Sequence, residues 1–333
     1  MKKLVDRGER VVDDMVAGFL ACHAATLEPV PGTPRAVRRR NLMPDAVGVL
    51  IGGGSGHEPA FMGLVGEGMA DGAAIGNVFA SPGVDPILAA IHGVDRGRGV
   101  VQIFGNYAGD VMNFGMAAEM AADDGVPVET VLVTDDVASA PSDERQRRRG
   151  IAGGLVVFKA AGARAAQGAD LEAVAGAARA ANDRTRTMGV ALAPCVHPGT
   201  GQPSFTLGAT EVEWGLGIHG EPGVRRGKLM SAADTVDELL TPVLGELAPS
   251  RGDRVALLVN GLGATTLMEL YILAGDALGR LRERGVETPL VWVGSFVTSM
   301  EMAGFSLSVT LLDDELEALL RAPASAPGFS IRG

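Results

Sequence analysis

Residues 47–61 read VGVLIGGGSGHEPAF. The apolar run Val47–Ile51 predicts a short buried β-strand. Gly52, Gly53 and Gly54 follow at once, then Ser55, Gly56, His57, Glu58 and Pro59. Glycine tolerates positive φ and lets other groups approach the backbone closely, so this run predicts a loop whose N–H groups face something polar. Pro59 suits the first turn of a following helix. His57 then sits where the loop enters the helix, at a strand's carboxyl end, where open α/β sheets bind ligands. The alternative is a plain strand–turn–helix whose glycines only permit tight packing. No Gly-Lys-Ser/Thr follows, and the spacing is not GxGxxG before an acidic ribose partner, so a nucleotide is not the expected ligand.

Working outward, Val11, Val12, Met15, Phe19 and Leu20 recur at helical spacing within residues 9–23, which predicts an amphipathic helix ending at Cys22 and His23. Arg35–Arg40 reads as a basic loop with a solvated face. Beyond the glycine run, strands are predicted over 75–79, 99–104 and 128–134, and helices over 85–93 and 111–123. Gly105-Asn106-Tyr107-Ala108-Gly109-Asp110 connects one strand to one helix. This alternation implies βα units and a largely parallel sheet. Right-handed crossovers then bring the glycine loop and the 106–110 loop to one sheet edge.

Two alanine-rich helices are expected over 154–167 and 171–181, and a strand over 188–194. Near residue 185 the texture changes, placing a boundary between a domain at 1–185 and another at 186–333. Glu211–Ile218 alternates, with Val212, Trp214, Leu216 and Ile218 on one side, and predicts an antiparallel strand. It runs into His219-Gly220-Glu221-Pro222-Gly223. Further helices (231–247, 265–284, 313–320) and strands (254–260, 290–296, 305–311) follow. The expected fold is two α/β domains, the first a largely parallel sheet flanked by helices, the second a mixed sheet with helices.

Composition narrows the function classes. The chain of 333 residues carries a formal net charge of −11 and 47 glycines, with aromatics at 4%. That charge argues against non-specific binding to nucleic acid or to an anionic membrane. Its two cysteines, Cys22 and Cys195, show no metal-ligand spacing, so no metal site is expected. The N-terminus lacks a secretory pattern and no apolar run reaches about 20 residues, so a cytoplasmic protein is expected. Three side chains stand at predicted loop tips: His57, Asp110 and His219. A buried aspartate can take a proton from a hydroxyl, and a neutral imidazole can attack a carbonyl. Read from the residues alone, this is a polar-ligand site with acid/base capability.

GGGSGHEP, GNYAGD, TRTMGVAL, PSFTLG, GLGIHGEPG and VNGLGATTLMELY together resemble the substrate-binding subunit of dihydroxyacetone kinases, DhaK, along nearly the whole chain. The resemblance implies that dihydroxyacetone binds between the two domains as a covalent hemiaminal on Nε2 of His219. It gives His57 and Asp110 the hydrogen bonding and general-base activation of the reacting hydroxyl, and lines the pocket with Gly54, Ser55 and Gly56. It further implies a homodimer and a separate DhaL-type subunit that holds Mg2+ and ADP or ATP. A DhaM-type phosphotransferase-system protein is the phosphate source in one branch, and no cofactor is expected on this chain. Relatives commonly carry lysine where this chain has Gly105, at the substrate. Its loss suggests a four-carbon ketose such as erythrulose as an alternative substrate. A non-catalytic, ketose-sensing co-activator paralogue is the other alternative.

Overall fold

The computed structural model describes residues 2–332. Its first sheet contains β1 (Leu27–Pro29), β2 (Ala36–Arg39), β3 (Gly48–Ser55), β4 (Gly72–Val78), β5 (Val100–Gly105) and β6 (Val128–Val133), in the order β1-β2-β4-β3-β5-β6. The four strands β4-β3-β5-β6 run parallel, as the βα alternation predicts, and β1 and β2 extend the sheet antiparallel. Helices α1 (Val11–Cys22), α2 (Val84–Val94), α3 (Ala108–Asp123), α4 (Gly154–Ala166) and α5 (Leu171–Asp183) accompany it. Central strands covered on both faces read as unbroken apolar runs. Accordingly Val49, Leu50, Ile51, Val100, Val101 and Ile103 are all fully buried.

Three sequence expectations are corrected here. Gly52–Gly54 belong to β3 itself and not to a loop. Neighbours crowd the strand there: a Cβ on Gly52 would lie 2.6 Å from the Ala74 carbonyl oxygen, and one on Gly53 would lie 2.4 Å from the Phe61 ring. No α-helix follows Pro59; the chain turns through a short 3-10 segment, Met62–Leu64, before β4. The Arg35–Arg40 cluster is no solvated loop either, because Arg38 pairs with Glu28 and Arg39 with Asp71 on strand β2.

The second sheet contains β7 (Thr185–Ala193), β8 (Glu211–Trp214), β9 (Arg225–Lys228), β10 (Arg254–Gly261), β11 (Glu287–Gly294) and β12 (Ala303–Leu312), in the order β11-β10-β12-β7-β8-β9. Only β10 and β11 run parallel, so the sheet is mixed. Helices α6 (Ala232–Leu247), α7 (Leu267–Glu283) and α8 (Asp314–Arg321) complete this half. Their starts are written in the sequence. Ser231 and Asp313 accept from backbone N–H groups of the first turns, and Thr266 with Glu269 forms a full capping box, contacts typically worth about 1 kcal/mol each. The buried faces of α6 and α7 carry Val236, Leu239, Leu240, Val243, Leu270, Leu273 and Leu281 against the sheet, each contributing roughly 2 kcal/mol.

The predicted strand 211–218 is cut short. Val212, Trp214, Leu216 and Ile218 are all buried as the alternation requires, yet β8 ends at Trp214. Gly215, with φ of +72°, turns the chain out of the sheet. His219 therefore stands in a loop.

The two halves are laced together around the glycine-rich strand. Met300 N–H donates to the Gly56 carbonyl and Thr298 N–H to the His57 carbonyl. The Thr298 hydroxyl donates to the Glu58 carbonyl at 2.9 Å. The end of the chain returns to the first sheet's side, where the hairpin of β13 (Ala324–Ala326) and β14 (Phe329–Ile331) meets Gly63 and Glu67.

Candidate active site

The carboxyl ends of β3 and β5 face the loop after β8, and a small cavity of 30 Å³ lies between them. Gly52–Gly54, His57, Gly105, Tyr107, Asp110 and His219 line it. The juxtaposition expected of the glycine run and the 106–110 segment is present, and His219 completes the group from the other half of the chain. Ser55 and Gly56 stay outside it. The Ser55 hydroxyl donates to the Gly76 carbonyl at 2.8 Å, and Gly56 N–H donates to the Glu58 carboxylate, so their polar groups are already engaged.

His57 is 1% exposed. Its Nδ1–H donates to the Thr298 carbonyl at 2.7 Å, and its buried Nε2 has no partner. Burial, and the neighbouring His219, lower its pKa to about 3. The ring is therefore neutral, with Nε2 a pure acceptor. Phe79 stacks on it with centroids 5.2 Å apart.

His219 is oriented by a single carboxylate. Its Nδ1–H donates to Glu221 Oε1 at 2.8 Å, and its backbone N–H donates to Glu221 Oε2 at 3.0 Å. The Nε2 lone pair is left for the cavity. Burial would raise the Glu221 carboxyl, but the hydrogen bond and charge of His219 outweigh it and bring its pKa down to about 2. Glu221 is thus ionised behind the imidazole. The rings of His57 and His219 lie 4.8 Å apart in an edge-to-face arrangement.

Asp110 occupies the first turn of α3, not a loop tip. Its Oδ1 is buried without a partner. Burial raises its pKa to about 6, against the opposing pull of Ser81 and His219. An orphan carboxylate oxygen with this pKa is suited to take a hydroxyl proton near neutrality.

Gly105 also lines the cavity, but the space beside it is filled. A Cβ at that position would lie 2.8 Å from Tyr107 Cε2. The Tyr107 ring packs edge-on to His219 at 4.6 Å, and its hydroxyl donates to the Gly150 carbonyl at 3.0 Å. Tyr107, Glu221, Phe79 and Thr298 were not among the residues singled out from the sequence. Tyr107 and Glu221 sit inside the motifs NYAGD and GIHGEPG and were legible there; Phe79 and Thr298 carry no local signal.

The arrangement offers a nucleophilic imidazole nitrogen, a neutral acceptor nitrogen and a general base around one small polar ligand. Among the described residues no group of three or more His, Cys, Asp or Glu side chains is placed to hold a metal. No helix among them is long and apolar enough to cross a membrane.

A family model described as the Dak1 domain matches residues 17–328. The chain is 44% identical over 332 residues to the dihydroxyacetone-binding subunit DhaK of PTS-dependent dihydroxyacetone kinase 2 from Listeria innocua, covering 99% of this chain and 100% of that protein. It is also 44% identical to a D-erythrulose kinase from Mycolicibacterium smegmatis, over 99% of this chain and 56% of that protein. Among solved structures, a dihydroxyacetone kinase operon co-activator, DhaQ, superimposes with a TM-score of 0.90 at 33% identity, covering 96% of this chain and 99% of that one.

Proposed function

The chain belongs to the Dak1 domain family, and we propose that it is the dihydroxyacetone-binding subunit of a dihydroxyacetone kinase, acting in the cytoplasm. The observation that carries this reading is His219, with Nδ1 tied to an ionised Glu221 and Nε2 unblocked. In the proposed capture step Nε2 attacks the C2 carbonyl. The N–C bond forms, and the carbonyl π-pair moves to oxygen, which takes a proton from solvent. Positive charge developing on the ring is balanced by Glu221. A ketone is selected over a polyol because only the ketone offers this carbon.

His57 Nε2 then accepts a hydrogen bond from a ketose hydroxyl, and Asp110 Oδ1 takes the proton of the hydroxyl that receives phosphate. A DhaL-type partner would supply Mg2+ and ADP or ATP and so the phosphoryl group. With ADP, a DhaM-type protein would recharge it. Self-association into a homodimer is part of the same reading.

The test is carbon-13 NMR of C2-labelled dihydroxyacetone with the wild type and His219→Ala, followed by product formation on adding a DhaL-type subunit and phosphate donor. A tetrahedral-carbon signal confined to the wild type is expected, with the free hydrate as control. Capture by both proteins, or by neither, overturns the assignment of His219. Capture without product favours the co-activator reading.

A four-carbon ketose is the second reading. The 44% identity to a D-erythrulose kinase and the missing side chain at Gly105 favour it. The Tyr107 ring beside Gly105 opposes it, since that ring takes up the space a longer sugar needs. Turnover of dihydroxyacetone against both erythrulose enantiomers decides; a clear preference for dihydroxyacetone eliminates the longer sugar.

A further inference from the structure

Phe79 follows the last residue of β4 and stands third in a turn closed by Ala80 N–H, which donates to the Asn77 carbonyl at 3.1 Å. Its φ is +56°. Glycine or asparagine ordinarily takes such a place, because a Cβ is crowded there, and a bulky side chain in it is an outlier. Outliers of this kind gather at functional sites, where the surrounding structure holds them in place. Here the hold is visible. Phe79 N–H donates to the Ser55 carbonyl at 3.0 Å, and Gly54 passes so close that a Cβ on it would lie 2.7 Å from the Ala80 nitrogen.

The ring accounts for the residue. It stacks on His57 with 25° between the planes, and it meets His219 edge-on at 5.5 Å between centroids. With the two imidazoles also in contact, the three rings close a triangle. Among the described residues no other aromatic ring touches both histidines. Each imidazole is tied by hydrogen bonding at Nδ1, His57 to the Thr298 carbonyl and His219 to Glu221. A bond at one ring nitrogen fixes that atom and leaves the ring free to tilt about it; a packed aromatic face removes that freedom. Phe79 does not itself line the cavity, so it reaches a ligand only through the two histidines.

We propose that Phe79 is a positioning residue of this site: its ring, planted by the left-handed turn, sets the planes of His57 and His219 so that both Nε2 atoms address one ketose, and it keeps water off His57. The proposal rests on the ketose-binding reading and adds to it a residue that never touches the sugar. The burial to which this ring contributes is the main cause of the lowered pKa of His57. His219 and Glu221 are the charged neighbours that act on the same imidazole, and Asp110 lines the same cavity.

Three variants of the full chain test it, read by carbon-13 capture of dihydroxyacetone, urea unfolding and NMR titration of the histidine rings. Phe79→Ala and Phe79→Gly lose the same ring and differ only in backbone freedom. In a left-handed turn glycine is the more stable of the two, the reverse of its rank in ordinary structure, so Phe79→Gly should unfold at the higher urea concentration. Both should weaken capture at least about 10-fold, the scale of a misplaced reacting group. Phe79→Leu keeps an apolar side chain against Cys195, Leu216, Leu262 and Met302 and so retains the fold, but it offers no flat face and should weaken capture as well. In Phe79→Ala the His57 ring should take up its proton nearer its ordinary pKa than in the wild type. Normal capture by Phe79→Leu would make Phe79 a mere filler and overturn the positioning role. An unmoved His57 titration overturns the shielding, and a Phe79→Ala protein more stable than Phe79→Gly overturns the strained turn. A wild type that captures neither dihydroxyacetone nor erythrulose overturns the ketose reading itself; each of the other results leaves that reading standing.

Discussion

Replacing Gly105 by alanine probes how the cavity is closed. The new methyl would lie 2.8 Å from Tyr107 Cε2, 3.0 Å from Cδ2 and 3.4 Å from the Gly150 oxygen. To restore ordinary contact the ring must retreat by about 0.6 Å, the gap between 2.8 and 3.4 Å. It has little freedom to do so, being held by the bond to Gly150 on one side and by the His219 ring on the other. Overpacking of this kind costs about 1–3 kcal/mol. Urea denaturation of Gly105→Ala, Tyr107→Ala and the double variant reads it. Tyr107→Ala alone should cost about 2 kcal/mol, less than for a fully buried aromatic because the ring is only partly buried. In its absence the methyl has room, so the double variant should be more stable than the sum of the single effects by about 1 kcal/mol or more. Additivity within about 0.5 kcal/mol, or a Gly105→Ala protein as stable as the wild type, would refute the packing argument. The same retreat presses on His219, so dihydroxyacetone capture should weaken in Gly105→Ala and recover with a larger cavity.

Asp110→Asn should bind ketose and fail in transfer, and the wild-type transfer rate should rise as pH climbs through about 6, where this carboxyl ionises; full turnover in the variant would remove the general-base role. Glu221→Gln takes the ionised partner from Nδ1 of His219 and should lower ketose affinity about 10-fold or more, the scale of a charge-assisted hydrogen bond; titration by NMR checks it, and an unchanged affinity contradicts it. Arg148 is fully buried, with its guanidinium on Glu246 at 2.6 and 2.8 Å; because Glu246 keeps Arg186 at 3.0 Å, Arg148→Met should cost about 1–3 kcal/mol in denaturant unfolding, the scale of lost hydrogen bonds to a charged group. His57 has its pKa lowered to about 3 in the fold, from 6.5, so the unfolded chain binds the extra proton between those values. Its contribution is whole above pH 6.5 and is lost as pH falls, at up to about 1.4 kcal/mol per pH unit; His57→Gln should flatten that slope in melts followed from pH 7 to 5.

Much of this was legible in the residues. Hydrophobic patterns located all eight α-helices and the longer strands among the described residues, because burying one face imposes that spacing whatever the partner, while the short strands β1, β2, β9, β13 and β14 gave no such signal. The caps Ser231, Thr266 and Asp313 marked helix starts for an equally local reason. Most errors fall where a distant neighbour overrode the local signal, and one where a single glycine did. Gly52–Gly54 look like a loop until Ala74, Phe61 and Ala80 are seen pressing on the strand. Glu211–Ile218 alternates to its end, yet Gly215 turns it out of the sheet. The arginines of β2 look solvated only while Glu28 and Asp71 are out of view.

The sequence by itself determined the α/β layering and the family and singled out the candidates His57, Asp110 and His219, since these depend on periodicity and on motifs contiguous in the chain. Only the tertiary structure decided their surroundings. The carbonyl that fixes the tautomer of His57 comes from Thr298, 241 positions along the chain. The burial that raises Asp110 is opposed by Ser81 and, from the other half of the chain, by His219. The space beside Gly105 is filled by the ring of Tyr107. A pKa or a cavity belongs to everything within a few ångströms of a group, and that set is assembled only when the chain has folded.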